Sequence, residues 1–292
     1  MSDYSIRDLE QLSGIKAHTL RIWEQRYNII RPKRTDTNIR TYDDQDLKLV
    51  LNISLLKDHG YKISEISRMS REEMHQEVIQ ISEKQLNYPD QIHALTIAML
   101  DLDEDRFEKI INTNILQFGF ENMMVNIIYP FLGRIGTLWM TGSIGPAQEH
   151  FITNLIRQKI IVAIDGQLNR MRPGAKKFLL FLPEGELHEL SLLFADYIIR
   201  ARQHKVVYLG QSLPFNELIF AYDVHRPEYI FSAITSVPGP DEVQTYVYRL
   251  GRQFPDSQIL LTGYQVIGQD LDTPDNVSII ANVRELVQIA SV

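Results

Sequence analysis

The chain of 292 residues contains no cysteine. That absence excludes a disulfide framework, a thiolate zinc site and thiol-based redox or heavy-metal sensing, so any metal must be held by nitrogen or oxygen. It also lacks a run of about 18 apolar residues of the kind that spans a bilayer. The opening MSDYSIRDLEQ has acidic residues where a secretory signal would carry a basic and then an apolar stretch. A cytoplasmic protein with no membrane partner is therefore expected. Disorder is not: 44% of the residues are hydrophobic, enough to fill the cores of two or three domains.

Positive charge is in deficit overall, with a formal net charge of -7. This argues against a chain coated in nucleic acid, but the average hides a local patch. Lys16, Arg21, Arg26, Arg31, Lys33, Arg34 and Arg40 fall within one short segment that holds only Glu24 and Asp36 as acids. The acidity belongs to the rest of the molecule.

The basic segment overlaps two short helical patterns. Ile6, Leu9 and Leu12 mark one face of the first, Leu20 and Trp23 belong to the second, and Ser13-Gly14 separates them. Ser5 followed by Asp8 predicts a capping box. In a helix-turn-helix the second helix enters the major groove, which places Lys16, His18, Thr19 and Arg21 near its leading end. Pro32 and the polar run from Lys33 to Arg40 predict a loop or small hairpin before a new helix near Asp43 or Asp44. A basic wing of this kind adds phosphate contacts that position without reading sequence.

The order helix-turn-helix, WEQRY (Trp23 to Tyr27), a wing closing on Arg40-Thr41-Tyr42, then a helix carrying LLKDHGYKISEI (Leu55 to Ile66) resembles the DNA-binding domain of MerR-type transcription regulators. The resemblance covers residues 4 to 70. It implies a dimer, or a larger homo-oligomer such as a tetramer, on double-stranded promoter DNA. Arg26, Lys33, Arg34, Arg40 and Tyr42 join the candidate DNA contacts. The cysteine-bearing metal-sensor ending is absent, so the effector must differ.

Residues 73–89 are polar with weak periodicity and are expected to link residues 1–72 to the helical segments beyond. Helical spacing recurs near 90–100, 103–118, 120–141 and 146–169, which makes residues 90–172 a plausible four-helix bundle. Within it Trp139 precedes the turn signals Thr141-Gly142-Ser143 and Gly145-Pro146, and Glu149-His150 start the next helix. An indole, a carboxylate and an imidazole are thus expected at one end of the bundle. Taken alone, they read equally as core and a satisfied polar pair.

From residue 173 to 292 the pattern changes. The apolar runs KFLLFL, VVYLG, YIFSAI, QILLTG and VSIIAN alternate with helical stretches at about 187–203, 215–225, 241–254 and 284–291. Continuous apolar strands between helices predict a flavodoxin-like doubly wound parallel sheet of five strands. Such sheets bind ligands beyond the carboxyl ends of their strands, between the first and third. His188 lies in the loop after the first.

The spacing Glu186-x-His188-x-x-Ser191, then Ser232-x-Ile234, then Thr262-Gly263 resembles the cobalamin-binding signature of an acid, a His and a Gly, a Ser-x-Leu and a final Gly-Gly. Ser191, Ile234 and Thr262 depart from it. The resemblance makes His188 the cobalt ligand, oriented by Glu186, with the nucleotide tail of the cofactor in a channel lined by the glycine positions. Serine and threonine would narrow that channel, and Tyr264 further. Imidazole suits cobalt, and a carboxylate on its other nitrogen is the usual support. Trp139 followed by Glu149-His150 resembles the upper-face motif of adenosylcobalamin-dependent light-responsive repressors of the CarH type. These join a MerR-like domain, a four-helix bundle and a cobalamin domain in this order.

The resemblance implies a transcription regulator, not an enzyme, whose oligomeric state and DNA affinity follow a bound corrinoid. Two alternatives remain at this point. One is a regulator with a decayed corrinoid site that uses the last module for oligomerisation or a protein partner. The other is a corrinoid methyl-carrier protein, against which the DNA-binding segment counts. No nucleophile-elbow sequence supports a hydrolase.

Overall fold

The computed structural model describes residues 4–35, 38–84, 88–140, 144–167 and 171–291. The chain divides into two compact units, Met1–Leu155 and Ile156–Val292.

The first unit begins with α1 (Ile6–Ser13) and α2 (Ala17–Tyr27). Ser5 caps α1 in a reciprocal box with Asp8, and Gly14 ends it at φ 72, a left-handed turn that glycine adopts without strain. β1 (Lys33–Arg34) and β2 (Arg40–Thr41) pair antiparallel, so the expected wing is a hairpin of two-residue strands. Asp36, which belonged to the charge count, lies outside the described residues. α3 (Asp44–Asp58) starts in a box between Asp43 and Asp46.

The segment LLKDHGYKISEI is not one helix. α3 stops at Asp58, Gly60 takes φ 91, and α4 (Ile63–Ile66) comes next. The physical reason is the left-handed glycine, which a continuous helix cannot contain. The expected linker is also largely structured. α5 (Arg71–Lys84) covers most of it and buries Met74 and Val78 against the unit, two apolar anchors one helical turn apart. The remainder at 85–87 lies outside the described residues.

α6 (Tyr88–Asp101) is buried at every position from Asp90 to Leu100. A helix enclosed on all sides must pack on several partners; these are α3, α5, α7 (Glu104–Phe118) and α9 (Tyr129–Met140). Lys48 of α3 pairs with Asp101, while His59 Nε2 lies 3.1 Å from Asp90 Oδ2, so the two helices run antiparallel with a polar contact near each end. Between α7 and α9 the chain forms α8 (Phe120–Met123) and a π-helical turn, Met124–Ile128. The π turn precedes Pro130, which lacks the N–H that would bond back four residues, and widening the turn accommodates that gap. α10 (Pro146–Asp165) carries the division between units. The Thr141-Gly142-Ser143 turn signals lie outside the described residues, as does the expected helix end near 169.

In the second unit β3 (Lys177–Pro183), α11 (Leu190–Ala201), β4 (Lys205–Leu213), α12 (Phe215–His225), β5 (Tyr229–Ala233), α13 (Pro240–Gln253), β6 (Gln258–Thr262), β7 (Val277–Ile279) and α14 (Val283–Ser291) alternate. All five strands are parallel, in the order β4-β3-β5-β6-β7. This is the flavodoxin-like order, with its switch point between β3 and β5. Phe178 to Leu182 are fully buried, as a central strand covered on both faces requires. On one face Leu179, Phe181 and Ile230 share a core with Leu218 of α12 and Val247 of α13. Each such side chain contributes about 1.5–3 kcal/mol on burial.

One irregularity positions the site. The β3–β4 register shifts after Leu180 and again after Phe181, beside Gly210 at φ 76. The bulge re-aims the end of β4, so that Gln211 and Ser212 reach the loop after β3.

Candidate functional site

The loop Glu184–Glu189 leaves the carboxyl end of β3 at the switch point. Its centre is the Glu186 side chain, which is wholly buried. Oε1 accepts the N–H groups of Leu187 (2.9 Å) and His188 (3.0 Å) and the His188 Nδ1–H (2.6 Å). Oε2 accepts the N–H groups of Thr235, Ser236 and Val237 at 2.9, 2.6 and 3.1 Å. Burial pushes the Glu186 carboxyl up, but the bond from His188 and the backbone N–H groups outweigh it and hold the group well below the usual carboxylate range. Glu186 is therefore a fixed anion that ties the β3 loop to the loop after β5.

With Nδ1–H given to a carboxylate, neutral His188 carries its lone pair on Nε2. The side chain is 61% exposed, beyond the ends of the strands. β4 holds the same loop from its other side: Gln211 Nε2 donates to the Leu187 carbonyl (2.7 Å), Gly185 N–H to Ser212 Oγ (3.0 Å) and Ser212 N–H to the Glu186 carbonyl (3.2 Å). The imidazole is thus oriented before any ligand arrives, which is what a metal-binding histidine needs.

The remaining signature positions lie on the neighbouring strands. Ser232 on β5 is fully buried, and its Oγ has no hydrogen-bond partner among the described residues. A buried hydroxyl without a partner costs about 1–3 kcal/mol, so this atom suits a ligand that can pair with it. Ile234 is buried and its N–H donates to the Thr262 carbonyl at 2.7 Å. Gly263 has φ 106, and a Cβ there would stand 2.4 Å from the Ile234 carbonyl oxygen. Only glycine fits that crossing. Ser191 lies in the first turn of α11, which starts at Leu190, not near 187.

Two expectations about narrowing the channel change. Thr262 Oγ1 donates to the Ile280 carbonyl at 2.8 Å, so its hydroxyl is engaged at the end of β7. Tyr264 is 72% exposed, and its ring stands in solvent. An oriented imidazole, a buried hydroxyl without a partner among the described residues and a glycine crossing fit a corrinoid whose cobalt would take a nitrogen ligand. No cluster of three or more His, Asp or Glu that could hold a bare metal ion occurs among the described residues.

In the first unit, Trp139 is the penultimate residue of α9 and is 47% exposed. Glu149 and His150 occupy the first turn of α10, with His150 Nδ1 2.9 Å from Glu149 Oε2. Their side chains are 29% and 71% exposed. These three residues therefore lie at accessible helix ends.

Of the candidate DNA contacts, Lys16, His18, Arg21, Arg26, Lys33 and Arg34 are exposed and Thr19 is half-buried. Lys16 pairs with Glu10 and Lys33 with Asp43, both at the surface. Arg40 is different: its guanidinium is held by Glu24 of α2 at 2.9 and 3.3 Å, which fastens the wing to the second helix. Tyr42 is a correction. It is 2% exposed and belongs to the core, just after β2, where its backbone is bridged to that of the equally buried Tyr4.

Sequence reasoning missed Thr235, Ser236, Val237, Gln211 and Ser212. Three act through backbone N–H groups, which any residue supplies. Gly210, at the end of the apolar run VVYLG, was the available sign for the other two.

Residues 4–73 match the MerR HTH family regulatory protein, and residues 91–163 match the B12 binding domain. The chain is similar to the HTH-type transcriptional repressor CarH of Myxococcus xanthus, 25% identical over 259 residues, covering 86% of this chain and 85% of that protein. The repressor CarA of the same organism is 24% identical over 239 residues, covering 81% and 78%. Among solved structures, the monomethylamine corrinoid protein of Methanosarcina barkeri aligns with a TM-score of 0.53 at 11% identity, over 74% of this chain and 98% of that one, a likeness of fold alone. The chain therefore joins a MerR-type helix-turn-helix to a B12-binding domain and is similar over most of its length to the CarH and CarA repressors.

Proposed function

We propose that the protein regulates transcription from double-stranded promoter DNA, and that a bound corrinoid, adenosylcobalamin, sets its assembly state and hence its DNA affinity. The observation that carries this reading is the Glu186–His188 pair, a solvent-facing imidazole oriented by a fully buried carboxylate at the switch point of the sheet. When bound, the corrinoid would supply a cobalt–carbon bond that light can break.

His188 would hold the cobalt through Nε2, while Glu186 keeps the ring in the ligating tautomer. Ser232 would pair with the nucleotide tail, beside Ile234, Gly263 and Ser191. Trp139, Glu149 and His150 would pack over the opposite face and move no proton in turnover. Lys16, His18, Thr19 and Arg21 would lie at the major groove, with Arg26, Lys33 and Arg34 on phosphates. Assembly into a dimer or tetramer raises DNA affinity by presenting several such units together, and a ligand that favours one assembly shifts the equilibrium by its differential affinity. Such a regulator acts in the cytoplasm. Among the described residues no helix is long and apolar enough to cross a membrane.

A second reading, in which the site has lost its corrinoid, draws on Thr262 and Ser191 in place of glycines. One experiment separates the two. Full-length protein incubated in the dark with adenosylcobalamin should keep a red chromophore through gel filtration, bind promoter DNA, and change elution volume after illumination. A colourless protein that still binds DNA overturns the first reading and supports the second.

A further inference from the structure

Glu189, the residue after the proposed cobalt ligand, has a role that the cobalamin signature does not contain. It is 9% exposed, and its two oxygens face two different elements. Oε1 accepts the Tyr208 hydroxyl from β4 at 2.8 Å, and Oε2 accepts Arg157 Nε from α10 at 2.8 Å. A carboxylate this buried is tolerated only with such partners. Burial pushes the Tyr208 phenol up, and the bond to Glu189 adds to the effect, so Tyr208 stays a donor at any physiological pH.

Glu189 is also a junction. Its backbone is helical and its carbonyl accepts the Leu193 N–H at 2.9 Å, so it ends the His188 loop and opens α11. The loop therefore has two independent anchors. Glu186 sets the ring of His188, and Glu189 sets the backbone on its far side.

The second anchor reaches α10, and Glu149 and His150 lie on that same helix about two turns before Arg157. We propose that Glu189, clamped between Arg157 and Tyr208, is a positioning residue that registers the His188 loop against α10, so that cobalt ligation and the placement of α10 form one event. This rests on the corrinoid reading of the site.

Hydrogen exchange on the full-length chain, with and without hydroxocobalamin, tests it. In the wild type, bound hydroxocobalamin should protect both residues 184–192 and residues 156–165. In Glu189→Gln and Arg157→Ala the corrinoid should still bind, with the absorption spectrum of His188 ligation, but about tenfold more weakly and without protection of 156–165. Arg157→Lys should restore part of that protection, and Tyr208→Phe, which breaks one contact only, should give an intermediate result.

Wild-type affinity and protection of both segments in Glu189→Gln and Arg157→Ala would overturn the proposal while leaving the corrinoid reading intact. A wild-type chain that takes up no hydroxocobalamin sinks both. Should Glu189→Gln fail to fold, Arg157→Lys and Tyr208→Phe carry the same comparison.

Discussion

Two of the molecule's histidine–carboxylate pairs are built in opposite ways. Glu186 and His188 are two residues apart in a loop, with the acid at zero exposure and six donors on its oxygens. Glu149 and His150 are adjacent in the first turn of α10, where the acid is half-buried and the imidazole exposed. The first pair is assembled by the fold and has its geometry before any ligand binds. Among the described residues the second is held by the contact between its own two members. In the proposed corrinoid complex one face would meet a preorganised pair and the other an adaptable one, which suits a switch whose upper face changes while its lower face stays.

Replacing the two acids gives the largest contrast. Glu186→Ala strips the partners from five backbone N–H groups and one imidazole, so unfolding should become easier by about 3 kcal/mol in urea titrations. Glu149→Ala should cost less than about 0.5 kcal/mol. Equal losses would show that the lower pair is not the preorganised one.

The histidines should differ next, in ligand affinity. His188→Ala should weaken hydroxocobalamin binding about 100-fold and change its absorption spectrum, whereas His150→Ala should weaken it about tenfold or less. Equilibrium dialysis read at the corrinoid band measures both. If His150 has the larger effect, the assignment of the cobalt ligand reverses.

A smaller effect comes from a third histidine, His93 of α6, which is buried and whose Nδ1 has no hydrogen-bond partner among the described residues. Burial, with Arg134 nearby, brings its pKa down from 6.5 to about 4. Because the folded value lies below the unfolded one, the unfolded chain binds the extra proton in that window. Its contribution is full above about pH 7 and should fall by about 2 kcal/mol by about pH 5. Glu186 works in a separate window. Its folded pKa is depressed, so its contribution is present above the ordinary carboxyl range and is lost only as pH falls through the lower folded value. His93→Gln should flatten the first limb of the acid titration, and Glu186→Gln the second.

Much of the fold was legible because its signals are local. The Ser5–Asp8 box, Gly14 and the Asp43 start of α3 need only a few neighbouring residues, and each lies where the sequence indicates. The five apolar runs mark the five strands because a parallel sheet covered on both faces demands continuous apolar sequence. α5 was less visible: Met74 and Val78 are two anchors in a polar stretch, too few for a period to stand out. Tyr42 misled for a related reason. Beside Arg40 it has the composition of a contact surface, and only the pairing with Tyr4 shows that it faces the core.

At the site, the residue types alone determined that an acid and a histidine share a loop after a buried strand. Tertiary structure decided the rest: that Glu186 takes three N–H groups from the loop after β5, that a bulge in β4 brings Gln211 and Ser212 onto the His188 loop, and that Glu189 joins β4 to α10. The physical reason is that backbone donors carry no residue identity and that partners tens of residues away meet only when the sheet is assembled. Side-chain chemistry can be read along the chain, whereas the hydrogen bonds that orient it depend on which strands become neighbours.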